Sequence, residues 1–305
     1  AAMKHVGFNV SADAYMTSCC TGSLGGLVFV SIDDPSMVTS ENEQDNRYYG
    51  LHGLVPVFSP SSVQELKDML KYAFQFSEDY QSVVLFNTTL RLIEEESELE
   101  LGDVISLDRE TRFTEEHRDR WTNLPSNARV NRVKLLERLE KITELAEDFP
   151  FNSFEDNNSK IGVLTSGICY AFTQGALKEL GAQEKVSVFK LGMEYPYPRN
   201  KLIAFMKKLD TLLVIEELEP IFEEYLKSLA FEENLSLSIL GKEVFPEAFA
   251  FDQDMIQGAL SELVEGKKPK KIEVKIPQNE SQIPHGDKVQ LQEIFFKAAK
   301  SVEED

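Results

Sequence analysis

Lys160-Ile-Gly-Val-Leu-Thr-Ser-Gly167 decides the fold. A short apolar run ends in a Ser-Gly turn, and Ile168 to Leu180 then reads as a helix stopped by Gly181, so a buried strand feeds directly into a helix. The pattern recurs. Val186 to Leu191 is a strand followed by a helix over Pro198 to Leu209, and Thr211 to Glu216 is a strand followed by a helix over Pro220 to Leu229. Three successive β-turn-α units predict a small doubly wound sheet of parallel strands. Past Leu240 the signals thin. Asp252 to Val264 reads as a helix, Glu265 to Lys271 has the composition of a linker, Ile272 to Gln282 looks extended, and Val289 to Val302 reads as a last amphipathic helix.

The N-terminal part alternates in the same way. Val6 to Val10 is strand-like or a strand-to-helix turn, Ala12 to Cys20 a small-residue helix, and Leu27 to Val30 a buried strand. Leu54 to Phe58 is a short strand. Serine caps at Ser59 to Ser62, with Gln64 and Glu65 in the first turn, open a helix whose Leu66, Met69, Leu70, Ala73 and Phe74 form a core-facing stripe. Ser82 to Phe86 is the next strand, with Asn87 to Arg91 at its carboxyl end. Glu94 to Phe149 changes character: a charge run and an almost wholly charged stretch precede an amphipathic helix over Arg132 to Asp148, so a domain boundary is expected there.

The most polar connection is Ser31-Ile-Asp-Asp-Pro-Ser-Met-Val-Thr-Ser-Glu-Asn-Glu-Gln-Asp-Asn-Arg47, directly after a buried strand. Carboxylates, carboxamides and an arginine gather where open α/β sheets place ligands, so the stretch is either a solvated loop or the lip of a site. Asp33, Asp34, Glu43 and Asp45 form a loose carboxylate group of the kind that caps turns and faces solvent, and no metal site is assigned. The ordinary reading of His5, which follows Lys4 near a strand end, is a single hydrogen bond, and no Ser/His/Asp arrangement can be assembled around it. Gly22, Gly25 and Gly26 lack the order of a dinucleotide fingerprint. Ser166-Gly167 offers a helix start to an anion, and Glu216, Glu217 and Glu219 mark either a ligand edge or charge complementary to a helix N-terminus.

The 305 residues suffice for two ordinary domains, and 42% hydrophobic with 28% charged residues is a globular composition. A net charge of −20 repels a polyphosphate backbone, which excludes nucleic acid as the expected partner. No apolar run spans a bilayer and three cysteines give no disulfide or cluster spacing, so a reduced, cytoplasmic setting without membrane attachment is expected. The chain starts Ala1-Ala-Met-Lys-His without an initiator Met, inside a strand-like stretch, which reads as a fragment, a processed product or one piece of a split protein.

Several stretches together resemble the large subunits of indolepyruvate:ferredoxin oxidoreductases, in the 2-oxoacid:ferredoxin oxidoreductase superfamily. They are Met3-Lys-His-Val-Gly-Phe-Asn9, Gly25-Gly-Leu-Val28, Asp33-Asp-Pro-Ser-Met37, Asn42-Glu-Gln-Asp-Asn-Arg47, Gly162 with Ser166-Gly167, Lys190-Leu-Gly-Met-Glu-Tyr-Pro-Tyr-Pro198 and Val214-Ile-Glu-Glu-Leu-Glu-Pro220. The resemblance implies two parallel-sheet α/β domains. Residues 1–100 would be the later part of a thiamine-diphosphate pyrimidine-binding domain, 101–157 a charged linker and helix, 158–245 a transketolase C-terminal-like domain, and 246–305 a C-terminal linker and helix.

The implied activity is oxidative decarboxylation of an aryl 2-oxoacid with coenzyme A, electrons passing to ferredoxin. Lys4 and His5 would be the catalytic residues. Asn9, Asn42, Glu43, Gln44, Asp45 and Arg47 would bind thiamine diphosphate, or close the rim against a subunit. The cofactor would be shared with a missing domain or partner: a diphosphate-domain polypeptide carrying Mg²⁺ and [4Fe-4S] clusters, alongside a small (beta) subunit.

This chain departs from the family pattern too. The family's cofactor-activating glutamate is expected upstream of Lys4, and no cysteine-rich cluster motif follows. Val38 stands where a histidine is expected and Glu41 where a glutamine is expected. The competing expectation is therefore a cofactor-free scaffold that keeps the fold.

Overall fold

The computed structural model describes residues 1–102, 115–273 and 276. The expected terminal helix over Val289 to Val302 lies outside them. The described part carries ten strands: β1 (Ala2–Lys4), β2 (Val28–Asp33), β3 (Val57–Phe58), β4 (Val84–Thr89), β5 (Ser153–Glu155), β6 (Ile161–Ser166), β7 (Ser187–Leu191), β8 (Met193–Tyr195), β9 (Thr211–Ile215) and β10 (Ser238–Leu240). Eleven α-helices alternate with them: α1 (His5–Val10), α2 (Ala12–Thr21), α3 (Arg47–Gly53), α4 (Val63–Asp79), α5 (Leu90–Ile93), α6 (Arg118–Trp121), α7 (Pro125–Ala146), α8 (Gly167–Glu179), α9 (Arg199–Met206), α10 (Ile221–Glu232) and α11 (Gln253–Val264).

They build two five-stranded sheets, in the orders β1-β2-β4-β3-β8 and β10-β9-β6-β7-β5. Every pairing is parallel except β3 with β8 and β5 with β7, the edge strand of each sheet. The α/β class with two parallel-dominated sheets is the one expected. Helices cover both faces of each sheet, which is why the central strands read as unbroken apolar runs. In the first sheet Phe8, Tyr15 and Phe29 form one core layer and Phe58, Met69, Phe76 and Phe86 the other. In the second, α8 and α11 close over Val163, Val188 and Leu213, while Leu202, Phe205 and Leu226 from α9 and α10 close the opposite face.

Local chemistry sets the element starts. Ser62 caps α4 by accepting from the Glu65 amide at 3.2 Å, and the Glu65 carboxylate reaches back to the Ser61 amide and hydroxyl. Gly167 opens α8 at a φ of +50°, a backbone conformation that a Cβ disfavours. Gly162 lies in β6 with no room for a side chain, since a Cβ there would stand 2.3 Å from Leu209 Cδ1.

Three differences from the sequence reading bear on the site. The strand at the N-terminus is Ala2–Lys4, and Val6 to Val10 is helical, because Phe8 must turn inward to pack on Tyr15. Strand β4 continues through Asn87, Thr88 and Thr89, so those polar side chains belong to the sheet itself. The chain leaves the second sheet at Leu191 and joins the first at Met193, which makes β8 a strand lent by one sheet to the other. Such a short strand ahead of two prolines carries no periodicity to reveal it.

Candidate functional site

The 31–47 stretch splits into two regions with opposite surroundings. The outer region lies against the end of β1 and α1. Lys4 Nζ donates to Asp34 at 2.9 Å and to Thr39 Oγ1 at 2.6 Å. Asp34 also accepts from the amides of Val38 and Thr39 and from the Ser40 hydroxyl. Burial pushes the Asp34 carboxyl up, but Lys4 and these donors outweigh it and hold the group below the usual carboxylate range. His5 is fully buried, and its Nε2 lies 3.0 Å from the Asn42 carbonyl oxygen. A carbonyl only accepts, so Nε2 donates, and Nδ1 is left without a hydrogen-bond partner inside the protein. On the exposed side Asn9 donates to Gln44 at 2.9 Å, Gln44 donates to Asn42 at 2.7 Å, and Tyr49 donates to Asn9 at 2.7 Å. Lys4, His5, Asn9, Asn42 and Gln44 therefore share one rim.

The inner region holds the other three expected residues. The Glu43 carboxylate accepts from the amides of Ser36 at 2.7 Å and Phe249 at 3.1 Å, tying the loop to the chain that leads into α11. Arg47 is buried at the start of α3. Its guanidinium donates to both Asp45 oxygens, to Glu216 at 2.9 Å, and to the carbonyls of Glu217 and Glu219 at 3.0 Å, with the Phe222 ring 4.9 Å away. Nε, Nη1 and Nη2 are thus all bonded within the chain. Metal chelation by the loop carboxylates finds no support in their positions. Among the described residues no group of three or more His, Cys, Asp or Glu side chains is placed to hold a metal ion.

Facing Arg47 are the carboxyl ends of strands from both sheets. Asp33 and Asn87 come from β2 and β4, Ser166 from β6, Glu194 from β8 and Glu216 and Glu217 from the end of β9, around a cavity of about 50 Å³. That volume holds one or a few water-sized bodies and no organic substrate. Glu216 also accepts from the Phe222 and Glu223 amides, so the helix-terminus reading of this glutamate holds. Glu217 pairs with Arg91 and accepts from the Phe251 amide. Lys242 donates to the Glu216 carbonyl at 2.7 Å. Ser166, read as a possible anion cradle, donates to Glu194 at 2.6 Å, so a carboxylate of the chain itself stands at that turn.

Burial sets the proton affinities here. Desolvation, then the nearby charge of Asp45, pushes the Asp33 carboxyl well up. Desolvation pushes Glu194 up to about 7, with Arg47 opposing it. Glu216 and Glu217 rise for the same first reason, partly offset by Arg47 and Arg91. Sequence reasoning gave no site role to Glu194, Asn87, Arg91 or Lys242. The polar Asn-Thr-Thr ending of an apolar strand was the available signal for Asn87. Arg91 shares that strand-end stretch and Glu194 lies in the Lys190–Pro198 motif, while nothing local marks Lys242.

Residues 152–282 match the indolepyruvate oxidoreductase domain family. The chain is 40% identical over 253 residues to the indolepyruvate oxidoreductase subunit IorA of Pyrococcus abyssi, covering 81% of this chain and 39% of that protein. It is 35% identical over 265 residues to the subunit of the same name from Methanothermobacter marburgensis, covering 86% of this chain and 42% of that protein. A solved 2-oxoglutarate:ferredoxin oxidoreductase from Magnetococcus marinus shares the fold, with a TM-score of 0.59, 15% identity, and coverage of 86% of this chain and 52% of that one. The chain thus spans about two fifths of the length of the curated relatives it matches. Over that span it is similar to the indolepyruvate oxidoreductase IorA subunits, and its residues 152–282 match the indolepyruvate oxidoreductase domain.

Proposed function

We propose that the chain is part of a 2-oxoacid:ferredoxin oxidoreductase acting on indolepyruvate or a related aryl 2-oxoacid, and that it contributes the pyrimidine-side rim and a subunit contact. The observation that carries this reading is the extended match to the IorA subunits, which spans both sheets. We keep the domain reading that goes with it: residues 1–100 as the later part of a pyrimidine-binding domain, 101–157 as a charged linker and helix, 158–245 as a transketolase C-terminal-like domain and 246–305 as a C-terminal linker and helix.

The residues of the rim fit a shared cofactor edge. Three exposed or half-buried carboxamides, Asn9, Asn42 and Gln44, supply donors and acceptors of the kind an aminopyrimidine needs, and the unpartnered Nδ1 of the buried His5 lies behind them. Thiamine diphosphate, when bound, supplies the electron sink for decarboxylation of the 2-oxoacid. Asn9, Asn42 and Gln44 would hold and orient its ring edge. Lys4 and His5 stand behind them, Lys4 fixing the loop through Asp34 and His5 through the Asn42 carbonyl. Glu43, Asp45 and Arg47 act at one remove by anchoring the rim to the second sheet. Mg²⁺, the iron–sulfur clusters and coenzyme A contacts belong in this scheme to the diphosphate-domain polypeptide and the small subunit.

The anchoring also favours a second reading, a scaffold without cofactor, since so many loop side chains are spent on internal bonds. Isothermal calorimetry separates the two. Saturable thiamine diphosphate binding on mixing with the partner subunits, weakened about tenfold or more by Asn9→Ala with Gln44→Ala, supports the oxidoreductase part. Absence of binding both alone and with the partners supports the scaffold.

A further inference from the structure

The cavity between the two sheets presents a chemistry that the proposed reaction does not use. Five carboxylates surround or adjoin it, Asp33, Asp45, Glu194, Glu216 and Glu217, against three cations, Arg47, Arg91 and Lys242. Arg47 is matched by Asp45 and Glu216, and Arg91 by Glu217. Asp33 and Glu194 are left without an ion-pair partner, both buried and both lining the same small space.

Unpartnered oxygens converge there. Glu194 accepts from Ser166 through Oε1, while its Oε2 is buried with no donor. Asn87, also buried, has its amide beside the Asp33 carboxyl and its Oδ1 unpartnered. Thr89 Oγ1 is a third such oxygen. The parallel register pairs Ser31 with Asn87 and Asp33 with Thr89, which sets these four side chains on one face of the sheet. Buried acceptors that lack donors cost free energy unless something positive satisfies them. Two carboxyls with an amide and a hydroxyl oxygen are a hard, all-oxygen set, and Arg47 lining the same cavity offsets part of their charge, which suits a monovalent cation. A cavity of about 50 Å³ admits an ion the size of a water molecule.

We propose that this cavity is a binding site for an alkali cation, K⁺ or Na⁺, held by Asp33, Asn87, Thr89 and Glu194 of the first sheet where that sheet faces Ser166 of the second. The ion replaces part of its hydration shell with protein oxygens and offsets negative charge at the two carboxyls that no side chain pairs. It lies apart from the amide rim, so this proposal stands whether or not the rim binds a cofactor.

The test has two arms on the protein itself. Thermal unfolding is measured in KCl, NaCl and choline chloride at equal ionic strength. A rise of roughly 3–6 °C is expected in one of the alkali salts over choline, with the difference lost in Glu194→Gln. Crystals grown with thallium(I) in place of K⁺ are then expected to give an anomalous peak among Glu194, Asn87 and Asp33, a result that does not depend on any variant folding. Equal midpoints in all three salts with no thallium peak in the cavity would overturn the proposal in favour of trapped water. So would a thallium peak found only elsewhere.

Discussion

Two ends of one loop differ in what surrounds them more than in what they contain. At the outer end, Asn9, Asn42 and Gln44 bond to one another beside solvent, and at the inner end Asp45 and Arg47 are buried against Glu216 from the second sheet. Both ends are polar, and both lie at the carboxyl edge of a parallel sheet. The outer bonds exchange readily with water and leave the groups available to a ligand. The inner bonds have no water to exchange with, so each partner is obliged to keep the other.

The inner end should therefore break hardest. Arg47→Met removes one guanidinium and leaves Asp45 and Glu216 buried and unpaired, a loss of about 3–5 kcal/mol in denaturant unfolding. Arg47→Lys should recover little of it, because an ammonium cannot reproduce a fork that reaches two carboxylates and two carbonyls. If Arg47→Met unfolds at the wild-type denaturant midpoint, the inner region is not the tie described.

Asp34, between the two regions, should give an intermediate effect that depends on pH. Its carboxyl is held below its ordinary value in the folded protein, so its contribution is present above the unfolded value of about 4 and is lost as pH falls through the lower folded value. Asp34→Asn is expected to cost about 1–2 kcal/mol at pH 7, and to converge on wild type in strong acid. A deficit that stays constant from pH 7 to pH 3 would show that the carboxylate's charge is not what matters. At the outer end, Asn9→Ala and Gln44→Ala should each change stability by no more than about 0.5 kcal/mol. Their effect belongs in ligand affinity, and a large stability loss would move the rim into the structural class.

The architecture was legible because parallel strands buried on both faces write themselves as apolar runs. Lys160 to Leu229 shows this, with strand and helix limits falling within a few residues of those expected. The rim was legible in the same sense: Lys4, His5, Asn9, Asn42 and Gln44 were singled out from sequence, and they meet. Asp45 and Arg47 were singled out with them for a shared role, yet they face the second sheet. Glu194 escaped notice because it lies on a three-residue strand that changes sheets.

The sequence by itself determined the α/β class, the caps and turns, and the family resemblance, since those rest on local periodicity and on collinear motifs. The tertiary structure alone decided which polar side chains face water and which are sealed between sheets. Burial depends on what long-range pairing brings opposite a residue: Arg47 meets Glu216 across 169 positions of chain, and no local pattern encodes that meeting.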